Sequence, residues 1–459
     1  MRQKKKNIRW NTMRILTVGF FGVILAGAFL LWLPICNQEP IAFMDALFTS
    51  TSAVCVTGLV TIVPAAQFTV VGKVVLLILI QIGGLGVIGC ATAFFLLLKK
   101  RITLRERVVM QESYSMDGLG GVVGMVRKVI LGTFVVEGVG VLLYAFQFVP
   151  EYGLLRGVAY AVFHAVSAFC NAGIDILGAD SLAGYAGNPL VNFTTMMLVV
   201  LSGIGFVVWY DVIGNVRRIY KKEVPKKWWF TRLKLHSKLA IVTTLVLLLV
   251  GALAVFLMEY SNPDTLGGMP LGDKVMASMF QSVTTRTAGF YTISQGALHE
   301  ETKLVSSILM FIGGSPGGTA GGVKTTTIAM LVLWCITLIR GGKDAECFGR
   351  KITVSNFRTG FAVVILAFLI LIGGTLAILM IEKDSVAMSD VLFETSSAIG
   401  TVGLTADLTP QLERASQVII MFLMYVGRIG PMTLALSFAG KQNPQDKLRE
   451  LPQERIMVG

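Results

Sequence analysis

Four seven-residue segments recur at nearly equal steps along this chain, and little else about it constrains the fold as tightly. They read Ser52-Ala-Val-Cys-Val-Thr-Gly58, Ser167-Ala-Phe-Cys-Asn-Ala-Gly173, Val283-Thr-Thr-Arg-Thr-Ala-Gly289 and Ser397-Ala-Ile-Gly-Thr-Val-Gly403. Their closing glycines are separated by 115, 116 and 114 residues, which uses nearly all of the 459-residue chain. A fixed period of this kind marks an internal repeat. The repeats divide as 1–110, 111–225, 226–345 and 346–459.

The repeats belong in a membrane. Charged residues make up 15% of the chain and hydrophobic ones 54%, against about 25% charged in an ordinary soluble domain. Apolar runs such as Ile15–Leu33, Val129–Phe148 and Leu239–Leu257 approach the ~20 residues that span a bilayer as helix. The net charge of +13 would suit nucleic acid, but its placement does not. Of the 40 Lys and Arg, 31 fall in Arg2–Arg14, Lys99–Lys128, Arg217–Lys238, Arg340–Arg358 and Lys441–Arg455, while 18 of the 27 acids lie between those stretches. Alternation of that sort follows the positive-inside rule. It predicts a multi-pass protein of the cell membrane with both termini cytoplasmic, two crossings per repeat and eight in all. The basic N-terminus and following apolar run resemble a signal peptide, but no small-residue cleavage site precedes Leu33-Pro34, so the run is expected to be a retained helix.

Each repeat reads as helix, short half-helix, glycine loop, helix. In the first, residues 13–35 span outward, Pro34 and Pro40 break the chain, and Asp45 is placed to cap a half-helix over Ala46–Ala53. Asp273 and Asp390 occupy the same place in the third and fourth repeats. A half-helix cannot cross, so the chain turns back at mid-membrane, where irregular backbone must line a watery cavity. Four parallel repeats then surround one axis: an all-α membrane protein with a pseudo-fourfold pore. The competing reading of Ser-Ala-x-x-x-x-Gly is tight helix packing through small residues. It accounts poorly for four equally spaced copies.

The pore loops are Val56-Thr57-Gly58, Asn171-Ala172-Gly173, Thr287-Ala288-Gly289 and Thr401-Val402-Gly403. Glycine permits the positive φ that aims carbonyls inward, where they can replace an ion's water shell. Cys55 and Cys170 are expected to pack behind this backbone, without a redox role. A glycine-rich run, Gly313-Gly314-Ser315-Pro316-Gly317-Gly318-Thr319-Ala320-Gly321-Gly322-Val323-Lys324, interrupts the second helix of the third repeat. It lacks the Gly-Lys-Ser/Thr core and the preceding strand of a phosphate-binding loop. Three charges at membrane depth stand out. Arg286 is either an electrostatic brake or a brace of the filter, or it is the structural partner of an acid such as Glu394 or of pore-helix carbonyls. Arg428, between Gly427 and Gly430, faces the path or braces its neighbours. Glu137 is expected to satisfy Arg428 or a loop amide. The histidines 164, 236 and 299 form no catalytic or metal-binding group, and His164 is read as a pore-helix brace.

The four loops, the run 313–327, Gln281-Ser-Val-Thr-Thr-Arg-Thr-Ala-Gly-Phe290 and Tyr425-Val-Gly-Arg-Ile-Gly-Pro-Met-Thr433 resemble the Trk/Ktr/HKT superfamily of potassium transporters over essentially the whole chain. A single span before the first loop resembles the Ktr-type membrane subunit. The resemblance implies K+ as the transported ion held at the filter residues, with Na+ often a stimulant and no organic cofactor in this chain. In plant relatives a serine at the first filter glycine accompanies sodium preference, and all four are glycine here. The resemblance further implies a gating loop at residues 313–323 just below the filter, working with Arg428. Lys324 lies on the same path or snorkels to the interface. A homodimer and a cytosolic ring of RCK-type nucleotide-binding subunits complete what it implies. The alternative is a secondary transporter coupling potassium or sodium to another ion, which inverted repeats would mark; these repeats are parallel.

Overall fold

A computed structural model describes residues 12–87, 89–90, 92–93, 107, 111, 120–223, 225–342 and 344–438. The basic N-terminal cluster up to Arg9, most of Lys99–Lys128 and all of Lys441–Arg455 lie outside the described residues. Four long apolar helices, α1 (Thr12–Trp32), α4 (Val122–Tyr152), α8 (Leu235–Glu259) and α12 (Val354–Glu382), each open one repeat and are long and apolar enough to cross a membrane. The shortest still reaches about 30 Å at 1.5 Å per residue, the thickness of the hydrocarbon core. Phe21, Phe29, Leu142, Phe146, Leu249 and Leu369 on these helices are all more than half exposed. In water such a surface would aggregate; in lipid it is the solvated face.

Each long helix is followed by a pore helix: α2 (Phe43–Cys55), α5 (Leu154–Cys170), α9 (Leu271–Thr284) and α13 (Met388–Gly400). They sit inside, with one phenylalanine apiece (Phe48, Phe163, Phe280 and Phe393) buried at 0–3% exposure. Side-chain hydrogen bonds fasten them to the long helices. The Ser50 hydroxyl donates to the Ile24 carbonyl at 2.7 Å, and Ser282 donates to Leu248 at 2.8 Å. The expectation for the half-helix start needs correcting. The first begins at Phe43 and is preceded by Ala42, with no side-chain cap. Asp45, Asp273 and Asp390 are instead the third residue of their helices. They complement the exposed amides and positive end of the first turn without capping it. Arg156 takes that position in the second repeat.

The second crossing of each repeat is broken. In the third, α10 (Glu300–Phe311) and α11 (Thr325–Ile339) flank the glycine-rich run. Sequence reasoning placed a break there alone. The structure also breaks the second crossing of repeat 2 at Gly205, between α6 (Pro189–Gly203) and α7 (Phe206–Tyr220), with a bend of 96°. Repeat 4 breaks at Gly430, between α14 (Arg414–Ile429) and α15 (Pro431–Phe438), and bends 93° between Arg414–Ile429 and Pro431–Ser437. In repeat 1, α3 (Val70–Leu85) ends at Gly86. These three glycines have φ of 94°, 92° and 77°, a region open to glycine and costly for most other residues. The only strands among the described residues are a short antiparallel pair, β1 (Glu346–Cys347) with β2 (Arg350–Lys351).

Candidate functional site

All four pore helices end at the repeated segment, and the motif's residue types explain how. In repeat 1 the Thr57 amide donates to the Ser52 carbonyl at 2.8 Å and the Val56 amide to Ala53 at 3.2 Å. This 6→1 and 5→2 pair is a Schellman ending, which needs a left-handed residue between helix and exit. Val56 is that residue, at φ 56°. Repeats 2 and 4 repeat the pattern, with Ala172 to Ser167, Asn171 to Ala168, Val402 to Ser397 and Thr401 to Ala398. Asn171 and Thr401 lie at φ 62° and 52°. Repeat 3, with valine at the serine position, ends differently: Ala288 donates to the Thr284 carbonyl at 2.9 Å, and Thr287 reaches φ 75°. The motif serine also ties down the glycine, since the Gly58 amide donates to Ser52 Oγ at 2.9 Å and Gly403 to Ser397 Oγ at 3.0 Å.

The twelve loop residues converge in a ring. Gly58, Gly173, Gly289 and Gly403 have φ of 108°, 62°, 87° and 95°. A Cβ placed on Gly58 would lie 2.6 Å from the Ala172 carbonyl oxygen, one on Gly173 2.5 Å from Ala288 O, and one on Gly289 2.6 Å from Val402 O. A Cβ on Gly403 would run into Thr57 O. The order 1→2→3→4→1 closes on itself, so each glycine packs against the carbonyl that precedes the next repeat's glycine. No side chain fits at any of the four. The helix C-termini and the converging carbonyls together make a site of negative potential, suited to a cation.

The glycine-rich run lies against this ring. The Ser315 amide donates to the Gly203 carbonyl at 2.8 Å, and the Phe206 amide donates to the Gly317 carbonyl at 3.0 Å; the broken crossing of repeat 2 thus holds the run. Gly322 approaches Gly400 in repeat 4, with 3.4 Å between a Gly322 Cβ and the Gly400 Cα. Three cations hold it as well. Arg286 donates to the Ile312 and Gly313 carbonyls, both at 2.6 Å. Arg428 donates to Thr319 O and Gly83 O, with Gly84 O at 3.5 Å. Lys324 turns back onto Ala320 O at 2.7 Å; it does not snorkel. Arg428 and Lys324 border a cavity of about 450 Å³, together with Pro316, Gly318, Gly86 and Gly430.

Two expected pairings do not form. Glu394 is buried, but it accepts from Thr409 Oγ1 at 2.6 Å and the Ala406 amide at 3.1 Å, with Thr405 as a third donor. It fixes the exit of the fourth loop and leaves Arg286 to backbone carbonyls. Glu137 accepts from Gln81 Nε2 at 3.1 Å, with Cys170 Sγ 3.9 Å away. It braces the end of the second pore helix and does not meet Arg428. His164 is buried, with Nδ1 2.8 Å from the Tyr160 carbonyl amid Tyr144, Phe148 and Phe290, a packing role inside its helix. Cys55 and Cys170, the last residues of their pore helices, are buried. Sequence reasoning missed Asn171 as a side-chain donor and Ser202 beside it. Polar residues flanked by apolar ones at a helix break were the available signal.

Comparison with known proteins agrees with this architecture. A model of the TrkH family, described as cation transport proteins, matches residues 2–451. The chain is 41% identical over 460 residues to the Ktr system potassium uptake protein B of Bacillus subtilis, covering 100% of this chain and 99% of that one. It is 36% identical over 462 residues to the potassium/sodium uptake protein NtpJ of Enterococcus hirae, with the same coverage. The crystal structure of the potassium transporter TrkH from Vibrio parahaemolyticus superimposes with a TM-score of 0.73 at 17% identity, over 96% of this chain and 87% of that one. With repeat, ring and broken crossings all in place, the chain belongs to the TrkH family of cation transport proteins, as a multi-pass membrane protein.

Proposed function

We propose that this chain is the ion-translocating subunit of a potassium uptake system, carrying K+ through the ring of four glycine turns. The observation that carries the reading is the cyclic packing of each glycine on the next repeat's carbonyl. Thr57, Ala172, Ala288 and Val402 then present their carbonyls around one axis, and potassium exchanges water for them. One glycine per loop gives a short filter with few sites, so sodium is a second, less favoured cargo, in keeping with the potassium/sodium uptake named for the Enterococcus relative. Residues 313–323 are the gate. Arg286, Arg428 and Lys324 hold it closed by binding its carbonyls and the backbone of repeat 1. Opening requires those bonds to be exchanged, which a nucleotide-binding ring of RCK-type subunits on the basic cytosolic side drives through α11. The chain works as a homodimer with one pore per protomer and both termini cytoplasmic.

The test is rubidium and sodium flux in liposomes containing the purified protein. Parent protein should pass rubidium ahead of sodium. Gly403→Val, which forces a side chain onto the Thr57 carbonyl, should abolish both. Flux that survives Gly403→Val would place the path elsewhere and overturn the reading.

A further inference from the structure

We infer that the Asn171 carboxamide, held by Ser202, transmits the position of the glycine-rich run to the filter and sets the cation preference. The inference rests on the proposed filter and gate and adds a link between them. Asn171 stands two residues before Gly173, at the left-handed end of the second pore helix. Its Nδ2 donates to Thr287 Oγ1 of the third loop at 3.1 Å. Its Oδ1 accepts from the Ser202 hydroxyl at 2.8 Å. All three residues are buried, at 0–1% exposure. One side chain therefore joins two neighbouring filter turns to the last turn of α6.

Ser202 and Gly203 are also where the glycine-rich run docks. The Gly203 carbonyl accepts from the Ser315 amide at 2.8 Å and the Ser202 carbonyl from Thr319 at 3.4 Å. The Thr319 hydroxyl points back to the Phe169 carbonyl at 3.4 Å, two residues before Asn171. The Thr319 carbonyl is in turn bound by Arg428. A continuous line of polar contacts thus leads from Arg428 through Thr319 and Ser202 to Asn171 and Thr287. From Thr319 to Thr287 the side chains are buried at 0–1% exposure, so a displaced partner there leaves a buried group unsatisfied and the strain passes on.

The run also meets the third loop through Arg286 and the fourth at Gly400, but a side-chain amide joining two filter turns occurs on the Asn171 side. The residues equivalent to Asn171 are Val56, Thr287 and Thr401, all β-branched. Valine has no polar atom to offer, and Thr401 Oγ1 is buried without a protein hydrogen bond. The carboxamide occurs on the repeat whose broken crossing receives the run. A filter brace serving only to shape the ring would have no reason to sit there.

The experiment compares rubidium and sodium flux in liposomes for full-length variants, with and without displacement of the run. Ser202→Ala removes one hydroxyl and changes no filter atom. Asn171→Thr keeps a residue that already adopts this conformation at 287 and 401, but one that cannot reach both partners. Gly318→Ala displaces the run, because its Cβ would lie 2.5 Å from the Ser202 carbonyl. In the parent background Gly318→Ala should lower the rubidium-to-sodium ratio about fivefold, the order set by one buried hydrogen bond. Ser202→Ala and Asn171→Thr should each lower it similarly, and adding Gly318→Ala to either should lower it little further. Gly173→Ala is the control for the filter itself. If that control shifts the ratio while Ser202→Ala and Asn171→Thr do not, or if Gly318→Ala acts equally in every background, the link is wrong and the filter stands. If Gly173→Ala also leaves the ratio unchanged, the filter assignment falls and the link with it.

Discussion

At the scale of single residues, the site depends on positions where a side chain has no room and on others where one is tolerated at a cost. Gly58 is the first kind. Serine there would adopt φ near 108° and meet the Ala172 carbonyl at 2.6 Å, so the carbonyl must shift and the ring must widen or tilt. Gly58→Ser should cut the rubidium-to-sodium flux ratio about tenfold, given ~1–3 kcal/mol for a strained backbone residue at the site. A ratio equal to that of the parent would remove Gly58 from the filter. Val56, Thr287 and Thr401 are the second kind, non-glycine residues with φ of 56°, 75° and 52°. The glycines were legible in the sequence because their spacing repeats and only glycine suits their geometry. The left-handed conformation of the residues two places earlier was not. Valine and threonine are the types least expected in a left-handed turn, and tertiary burial at 0–1% exposure accompanies them there. Asn171 alone carried a hint, as asparagine accepts that conformation readily.

At the scale of elements, the broken crossing of repeat 3 was legible and those of the other repeats were not. The run 313–323 holds six glycines and a proline, enough to forbid a helix. Gly205 follows Gly203 and Gly430 follows Gly427, two glycines each, a density that helices within apolar stretches often tolerate. The 96° bend at Gly205 goes with tertiary packing, since a Cβ there would meet the Pro316 carbonyl at 2.5 Å, whereas the 93° bend at Gly430 is followed at once by Pro431, which cannot continue a helix. The partners of the buried charges were legible in kind only: backbone carbonyls were one of the alternatives for Arg286, but the ones bound are those of Ile312 and Gly313 and not of a pore helix, and Arg428 likewise binds carbonyls, which every residue has. Arg428 joins the run to repeat 1 and also sets a positive charge beside the proposed cation path, where repulsion is strong at low dielectric. Arg428→Gln should therefore raise rubidium flux in the absence of any partner subunit, by about tenfold for the loss of one charge-assisted hydrogen bond. Deleting Ser315–Ala320 removes the proposed obstruction and should give the larger, partner-independent flux. A deletion protein that inserts and folds yet conducts no more than the parent would leave the constriction at Arg428 alone.

At the scale of the whole molecule, a ring of four tandem repeats must be closed by joining its last member to its first. Two ion pairs on the outer rim connect neighbouring repeats in the same cyclic order as the filter. Asp390 in the fourth pore helix pairs with Lys303 of α10 at 2.7 Å, and Asp45 in the first pairs with Arg414 of α14 through two contacts of 2.6 and 3.0 Å. The second of these bridges 369 residues of sequence and closes the ring. Geometry alone would rank the bidentate Arg414 pair higher, but burial reverses the order. Each pair has one buried member: Asp45 at 12% exposure faces Arg414 at 56% and keeps a hydrogen bond from Thr61 Oγ1 at 2.9 Å, whereas Lys303 at 7% faces Asp390 at 26%. Water screens the Arg414 pair, and exposed pairs contribute about 0–1 kcal/mol. Removing Asp390 strands a buried ammonium with only the exposed Glu300, 3.5 Å away, a loss of about 2–3 kcal/mol against the 3–5 kcal/mol of a fully buried pair. Asp390→Ala should thus lower the thermal unfolding midpoint of the detergent-solubilised protein clearly more than Arg414→Ala does. Should Arg414→Ala prove the more damaging, closure between the first and fourth repeats would be the weak seam of the ring, and bidentate geometry would outweigh burial in holding it.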